Sequence, residues 1–149
     1  MPTAMTPAAR RIFLAVAVIA LGGVAVSSVS LYHHYGSSKT NYCDFGESFN
    51  CDIVNRSIYS TVFGVPDALI GIVGYTGLFV VAFFFRDRAG AARTLLLGAA
   101  AGLAFALYLT YIEALVLATW CILCLSSLTL IFLITLLAAV LVGRAARVG

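Results

Sequence analysis

Trp120-Cys121-Ile122-Leu123-Cys124-Leu125 opens an apolar run that continues to about Val142. A C-x-x-C pair therefore stands at the mouth of a segment long enough to cross a bilayer core of about 30 Å. Residues three apart on a helix share a face. Cys124 would then lie about 4.5 Å deeper than Cys121 by helical rise. The deeper thiol is placed to meet an oxidant dissolved in lipid, and the shallower one to meet a mobile loop. A helix N-terminus also favours an anion, so a thiolate there is stabilised and exchanges disulfides readily.

The rest of the chain supports a membrane setting. Its 149 residues are 62% hydrophobic and 10% charged, whereas a soluble domain is about half apolar and about a quarter charged. The expected class is an all-α integral membrane protein: a four-transmembrane-helix bundle in one domain, 1–149. The spans are read as about 12–32, 66–85, 94–116 and 120–142. An outer loop, 36–64, joins the first two and carries a short amphipathic surface helix from Asp52 to Ser60, where Ile53, Val54 and Ile58 recur at helical spacing. Residues 1–9 read as unstructured. The first apolar run is longer than the 7–15 residues of a usual signal-peptide core, which favours a retained span over a cleaved leader. Gly64-Val65-Pro66-Asp67 reads as a helix start, with a proline at the first turn and an acid at the positive end of the dipole. Gly98, Gly102 and Ala106 repeat every four residues and let a neighbouring helix approach closely.

Charge placement sets the orientation. Of the nine Lys and Arg, seven (Arg10, Arg11, Arg86, Arg88, Arg93, Arg144, Arg147) lie at the N-terminus, in the turn after the second span, and at the C-terminus. Four spans put those three regions on one side, which the positive-inside rule makes cytoplasmic. The loop bearing Cys43 and Cys51 and the junction bearing Cys121 and Cys124 then share the outer face, where disulfides persist.

The residues alone leave more than one use for these cysteines. Cys43 and Cys51, with Gly46 between them, can close a loop as a structural staple worth about 2–3 kcal/mol. Four thiols can also hold zinc, although structural zinc sites usually come as paired knuckles in soluble loops, so no metal is expected. A non-enzymatic scaffold braced by two disulfides is the reading from a different class. Facing a C-x-x-C across one membrane surface, the loop pair is better read as half of an electron relay.

The order of these features resembles the vitamin K epoxide reductase family. The matching residues are Cys43 and Cys51, then Ser57-x-Tyr59-Ser60-x-x-Phe63-Gly64-x-Pro66, Gly71, Tyr108-x-x-Tyr111-x-Glu113, and Trp120-Cys121-x-x-Cys124. The resemblance covers the chain from the first span to the last. It implies a bundle around a quinone of menaquinone, ubiquinone or vitamin K type. It implies that Cys124 reacts with the quinone, that Cys121 exchanges with Cys51, and that Cys43 takes electrons from a separate thioredoxin-like or DsbA-like thiol protein. A polar side chain near the Ser60 position donates a hydrogen bond to the quinone in relatives. With Tyr59, Phe63, Tyr111 and Glu113, Ser60 makes up the set of candidate quinone contacts. Vertebrate members carry a Thr-Tyr pair after the C-x-x-C. Leu125-Ser126-Ser127-Leu128 stands here instead, so Leu128 offers no tyrosine contact.

Glu113 is a carboxylate near the outer end of a membrane segment, a functional suspect by default; a shallow, hydrated position and proton handling are both open to it. His33, His34, Tyr35 and Trp120 read as interfacial residues. The activity expected is quinone-dependent thiol oxidation that supports disulfide formation outside the cytoplasm. The partners are a thiol protein and membrane lipid, with no nucleic acid.

Overall fold

The structure, a computed structural model, describes residues 5–35, 44–46, 49–50, 54 and 57–148. Cys43 and Cys51 lie outside the described residues, as do Asp52, Ile53, Asn55 and Arg56 of the expected surface helix. The first helix, α1 (Pro7–Tyr35), begins inside the segment read as unstructured. Thr6 and Pro7 explain why. The Thr6 Oγ1 accepts the Ala9 N–H at 3.2 Å, and proline at the first helical position lacks only a donor that the helix leaves unused.

Between α1 and the next span, β1 (Asp44–Gly46) pairs antiparallel with β2 (Phe49–Asn50). A single 3₁₀ turn follows at Ile58–Ser60, within the segment expected as the surface helix. Next comes a tight hairpin, with β3 (Thr61–Val62) pairing β4 (Val65–Pro66). Its two turn residues both have positive φ, 53° at Phe63 and 81° at Gly64. That turn type matches the right-handed twist of the flanking strands and explains the glycine.

The second helix, α2 (Asp67–Phe84), starts where Pro66-Asp67 predicts. A turn through Gly90, at φ 86°, leads to α3 (Ala91–Tyr111). The third span continues as a π-helical stretch, Ile112–Leu117, which ends at Ala118 with φ 50°. The last helix is α4 (Ile122–Val148). Four helices among the described residues are long and apolar enough to cross a membrane. The protein is a multi-pass membrane protein with the expected all-α bundle.

Helix α1 packs on α2 and α4, and α3 on α4 and α2, so each helix has two neighbours and the bundle closes. The two ends of the bundle differ. At the arginine-bearing end the core is filled by Phe13, Val16, Ala17 and Ala20 of α1, Leu78 and Ala82 of α2, Leu95 and Ala99 of α3, and Ile134, Ala138 and Leu141 of α4. The small side chains let the backbones approach. A Cβ at Gly23 would overlap the Tyr75 ring, and one at Gly102 would sit 3.2 Å from Ile131. Large apolar side chains such as Val18, Leu97, Leu115 and Leu136 face outward, the pattern of helices solvated by lipid. At the other end, the helices part around a cavity.

Candidate functional site

The cavity encloses about 330 Å³ between all four helices. Glycine and alanine make the room: Gly71 and Gly74 on α2 face Ala101 and Gly102 on α3. Its walls are apolar except for Ser27, Ser30, Asp67, Tyr75, Ser127 and Cys124. The Tyr75 hydroxyl donates to the Ser127 carbonyl at 2.8 Å and lies 2.9 Å from the Ser127 Oγ. This pair ties α2 to α4 beside the cavity.

Cys124 is the third residue of α4 and lies on the cavity wall. Cys121 precedes the helix, and its carbonyl accepts the Leu125 N–H at 3.0 Å. It therefore occupies the N-cap position, one step before the helical position expected from sequence. Its side chain is fully buried and packs against Val54, with Leu117, Ile122 and Leu123 around them. Cys124 borders this cluster as well, but it also lines the apolar chamber, which Cys121 does not.

The π-helical stretch sets the third member of the cluster. A π turn inserts an extra residue per turn and often marks a functional site. Here it carries Glu113, 1% exposed, between the two cysteines. The Glu113 Oε2 accepts the Cys121 backbone N–H at 3.2 Å. The Cys124 thiol interacts with both the Glu113 carboxyl and Cys121. The Glu113 Oε1 is buried with no hydrogen-bond partner among the described residues.

Cys121 stands just outside the span Ile122–Arg147. The hydrogen bond from Cys124 holds its thiol below the usual cysteine range against the opposing effect of burial, and the backbone N–H groups of Cys124 and Leu123 add to the lowering. A lowered thiol pKa means that the anion persists to lower pH than for a free cysteine. In reduced protein carrying Cys43→Ser and Cys51→Ser, thiolate absorbance should accordingly rise at a lower pH than that of free cysteine. Adding Cys124→Ala, which removes the donor, should move the rise to higher pH. An unmoved midpoint would count against that hydrogen bond.

The structure brings together some of the sequence-predicted contacts and separates others. Tyr59, Ser60 and Glu113 line a second, much smaller cavity of about 10 Å³, with Val54, Asp67 and Leu109. The Ser60 hydroxyl is buried, donates to the Ser57 carbonyl at 2.7 Å and lies 3.4 Å from the His34 Nδ1. Asp67 and Leu109 border both cavities. Phe63 sits fully exposed at the hairpin tip and Tyr111 is 57% exposed; neither lines either cavity.

The sequence reading missed Ser27, Ser30, Asp67, Tyr75 and Ser127. Ser27 and Ser30 are three apart within an apolar helix and so share a face, and that spacing was the available signal. Asp67 was read only as a helix-dipole residue, although an ionisable group at a span end is itself a signal.

The sequence model of the vitamin K epoxide reductase family matches residues 14–139. The chain belongs to that family. Membership makes this vitamin K epoxide reductase family protein an oxidoreductase, linking thiols to a quinone. Members generally use a membrane quinone and work with a thioredoxin-like partner. No curated protein matches the chain. The large cavity fits a quinone head: it has apolar walls for the ring and a few convergent polar groups for the two carbonyl oxygens, the usual make-up of a cofactor site.

Proposed function

We propose that the protein oxidises a thiol-disulfide partner outside the cytoplasm and passes the electrons through its four cysteines to a quinone in the large cavity. The observation that carries this reading is the divided setting of the C-x-x-C. Cys121 packs on Val54 of the loop, and Cys124 lies on the cavity wall. Cys51 stands three residues before Val54 in the chain, and the positive-inside rule assigns both cysteine pairs to the outer face.

In this reading a thiolate of the partner, a thioredoxin-like or DsbA-like protein, attacks Cys43 of a Cys43–Cys51 disulfide. The freed Cys51 attacks Cys121 of a Cys121–Cys124 disulfide, and Cys124 leaves as the thiol facing the cavity. When the partner's second thiol releases Cys43, Cys43 attacks Cys51 of the Cys51–Cys121 mixed disulfide, which re-forms the loop disulfide and leaves Cys121 and Cys124 as a dithiol holding the two electrons. Each transfer runs through a mixed disulfide. Cys121 and Cys124 return to the disulfide as the electron pair passes into the cavity. A quinone held there supplies the sink for two electrons and two protons. Ser27, Ser30, Tyr75 and Ser127 are placed to hold its oxygens, and the apolar walls keep water from the thiols. Tyr59, Ser60 and Glu113 act from the adjoining small cavity. Phe63 and Tyr111 enter this reading as outer-face and lipid-facing side chains rather than quinone contacts.

Purified protein given a reduced thioredoxin-like protein and a short-chain naphthoquinone should reduce the quinone catalytically. Cys43→Ala should lose that activity but keep quinone reduction driven by dithiothreitol, which can reduce the inner pair directly. Equal loss with both reductants would contradict the assigned order.

A further inference from the structure

Building on that reading, we propose that Glu113 and Asp67 form a proton relay that carries the protons released by Cys121 and Cys124, one after the other, to the large cavity. Closing the Cys121–Cys124 disulfide forms one S–S bond and releases two electrons and two protons, while a two-electron reduction of a quinone consumes two protons. The electrons have an evident path, because Cys124 is on the cavity wall. The protons need groups that can hold them in an apolar site, and two carboxyls are placed to do so.

Glu113 stands beside the reacting pair. It is 1% exposed, accepts the Cys121 N–H, interacts with the Cys124 thiol, and has one oxygen without a hydrogen-bond partner among the described residues. It lines the small cavity, whose volume of about 10 Å³ admits at most one water. Asp67 lines the same small cavity from the opposite element, and it alone among the ionisable lining residues borders the large one as well. The two carboxyls interact electrostatically. His34 of α1 faces Asp67 electrostatically; with Glu113, Cys121, Cys124, Tyr59 on the small cavity and Tyr75 on the large one, it makes up the titratable groups around the path among the described residues. A relay that takes up each thiol proton at Glu113 and releases one at Asp67 ends each turn unchanged. This assigns work to the buried orphan oxygen, which would otherwise be an uncompensated cost.

The test uses the full chain in lipid nanodiscs. In quinone-free protein, infrared difference spectra between the disulfide and dithiol forms should contain carboxyl bands that shift in heavy water. Glu113→Gln should remove one band and displace the other, and Asp67→Asn should do the converse. Mixed with menadione, pre-reduced Asp67→Asn protein should oxidise its dithiol about 100-fold more slowly than wild type, the low end for a positioned proton donor. Formate should restore much of the rate, and Asp67→Glu, which keeps the carboxyl, should stay near wild type. Carboxyl bands indifferent to the state of the dithiol would overturn the relay, as would an Asp67→Asn rate equal to wild type. So would a slow Asp67→Asn protein that formate does not help and whose defect Asp67→Glu shares, since that pattern is a packing defect. If the wild-type dithiol itself does not react with menadione, it is the quinone reading of the cavity that fails, and the infrared comparison still decides whether the carboxyls follow the thiols.

Discussion

Cys124→Ala should abolish quinone reduction, lowering turnover by more than about 1,000-fold, the usual cost of removing a nucleophile. The reason is positional. Cys124 lines the cavity, whereas Cys121, a single helical turn away, is fully buried and does not. The remaining Cys121 has no cavity-facing partner with which to close a disulfide. Cys121→Ala should also stop turnover, but for the other reason: the cavity thiol survives and its link to the loop is gone. The two can be separated by giving dithiothreitol-reduced protein one equivalent of a short-chain naphthoquinone. With Cys43→Ser and Cys51→Ser also in place, only Cys121→Ala leaves a thiol at the cavity able to attack the ring, detectable as a covalent adduct by mass. Neither substitution should unfold the bundle, since its densest packing lies at the arginine-bearing end, among Val16, Leu95 and Ile134. Activity remaining in Cys124→Ala would show that electrons reach the quinone by another route.

Gly74→Phe is expected to close the cavity without breaking the helix. A Cβ at Gly74 would meet nothing within 4 Å, and Gly74 lines the chamber. The new ring therefore has room, and leaving glycine behind favours a helix interior. If it keeps about 100 Å² of quinone surface from being buried, at about 25 cal/mol per Å² the loss is about 2.5 kcal/mol, or roughly 70-fold in affinity. Saturation with the naphthoquinone should show a raised KM, while disulfide exchange with the thiol partner is unchanged. Gly71→Phe would be a poor substitute, because a Cβ there would already lie 2.6 Å from the Ser27 Oγ. An unchanged KM in Gly74→Phe would place the quinone elsewhere.

The features that depend on local pattern were legible. Long apolar runs mark the four spans, and Pro66-Asp67 marks the start of α2, whereas α1 begins at Pro7, ahead of its apolar run. Family membership follows from the same spacing of cysteines and aromatic residues. The features that depend on how helices meet were not. Gly98 and Gly102 read as a surface for close approach, which holds, since Cβ atoms there would lie 3.3 Å from Leu78 and 3.2 Å from Ile131. The same glycines also line the cavity, and no periodicity separates the two uses. Nor does any residue type announce a π turn. Without it, Glu113 sits in an ordinary helix, and nothing in the sequence says that its side chain reaches the Cys121 N–H. Phe63 and Tyr111 were chosen from the family pattern, which gives a position in the chain but not the direction of a side chain. Phe63 turned outward because the hairpin Thr61–Pro66 puts it at the tip.

Disulfide mapping by mass spectrometry of Cys124→Ala protein taken from membranes tests the relay most directly. With no Cys124 to displace the loop, the exchange should stall halfway, and a Cys51–Cys121 linkage should accumulate. Protein holding only a Cys43–Cys51 bridge, with Cys121 still a thiol, would contradict a current running between the two pairs.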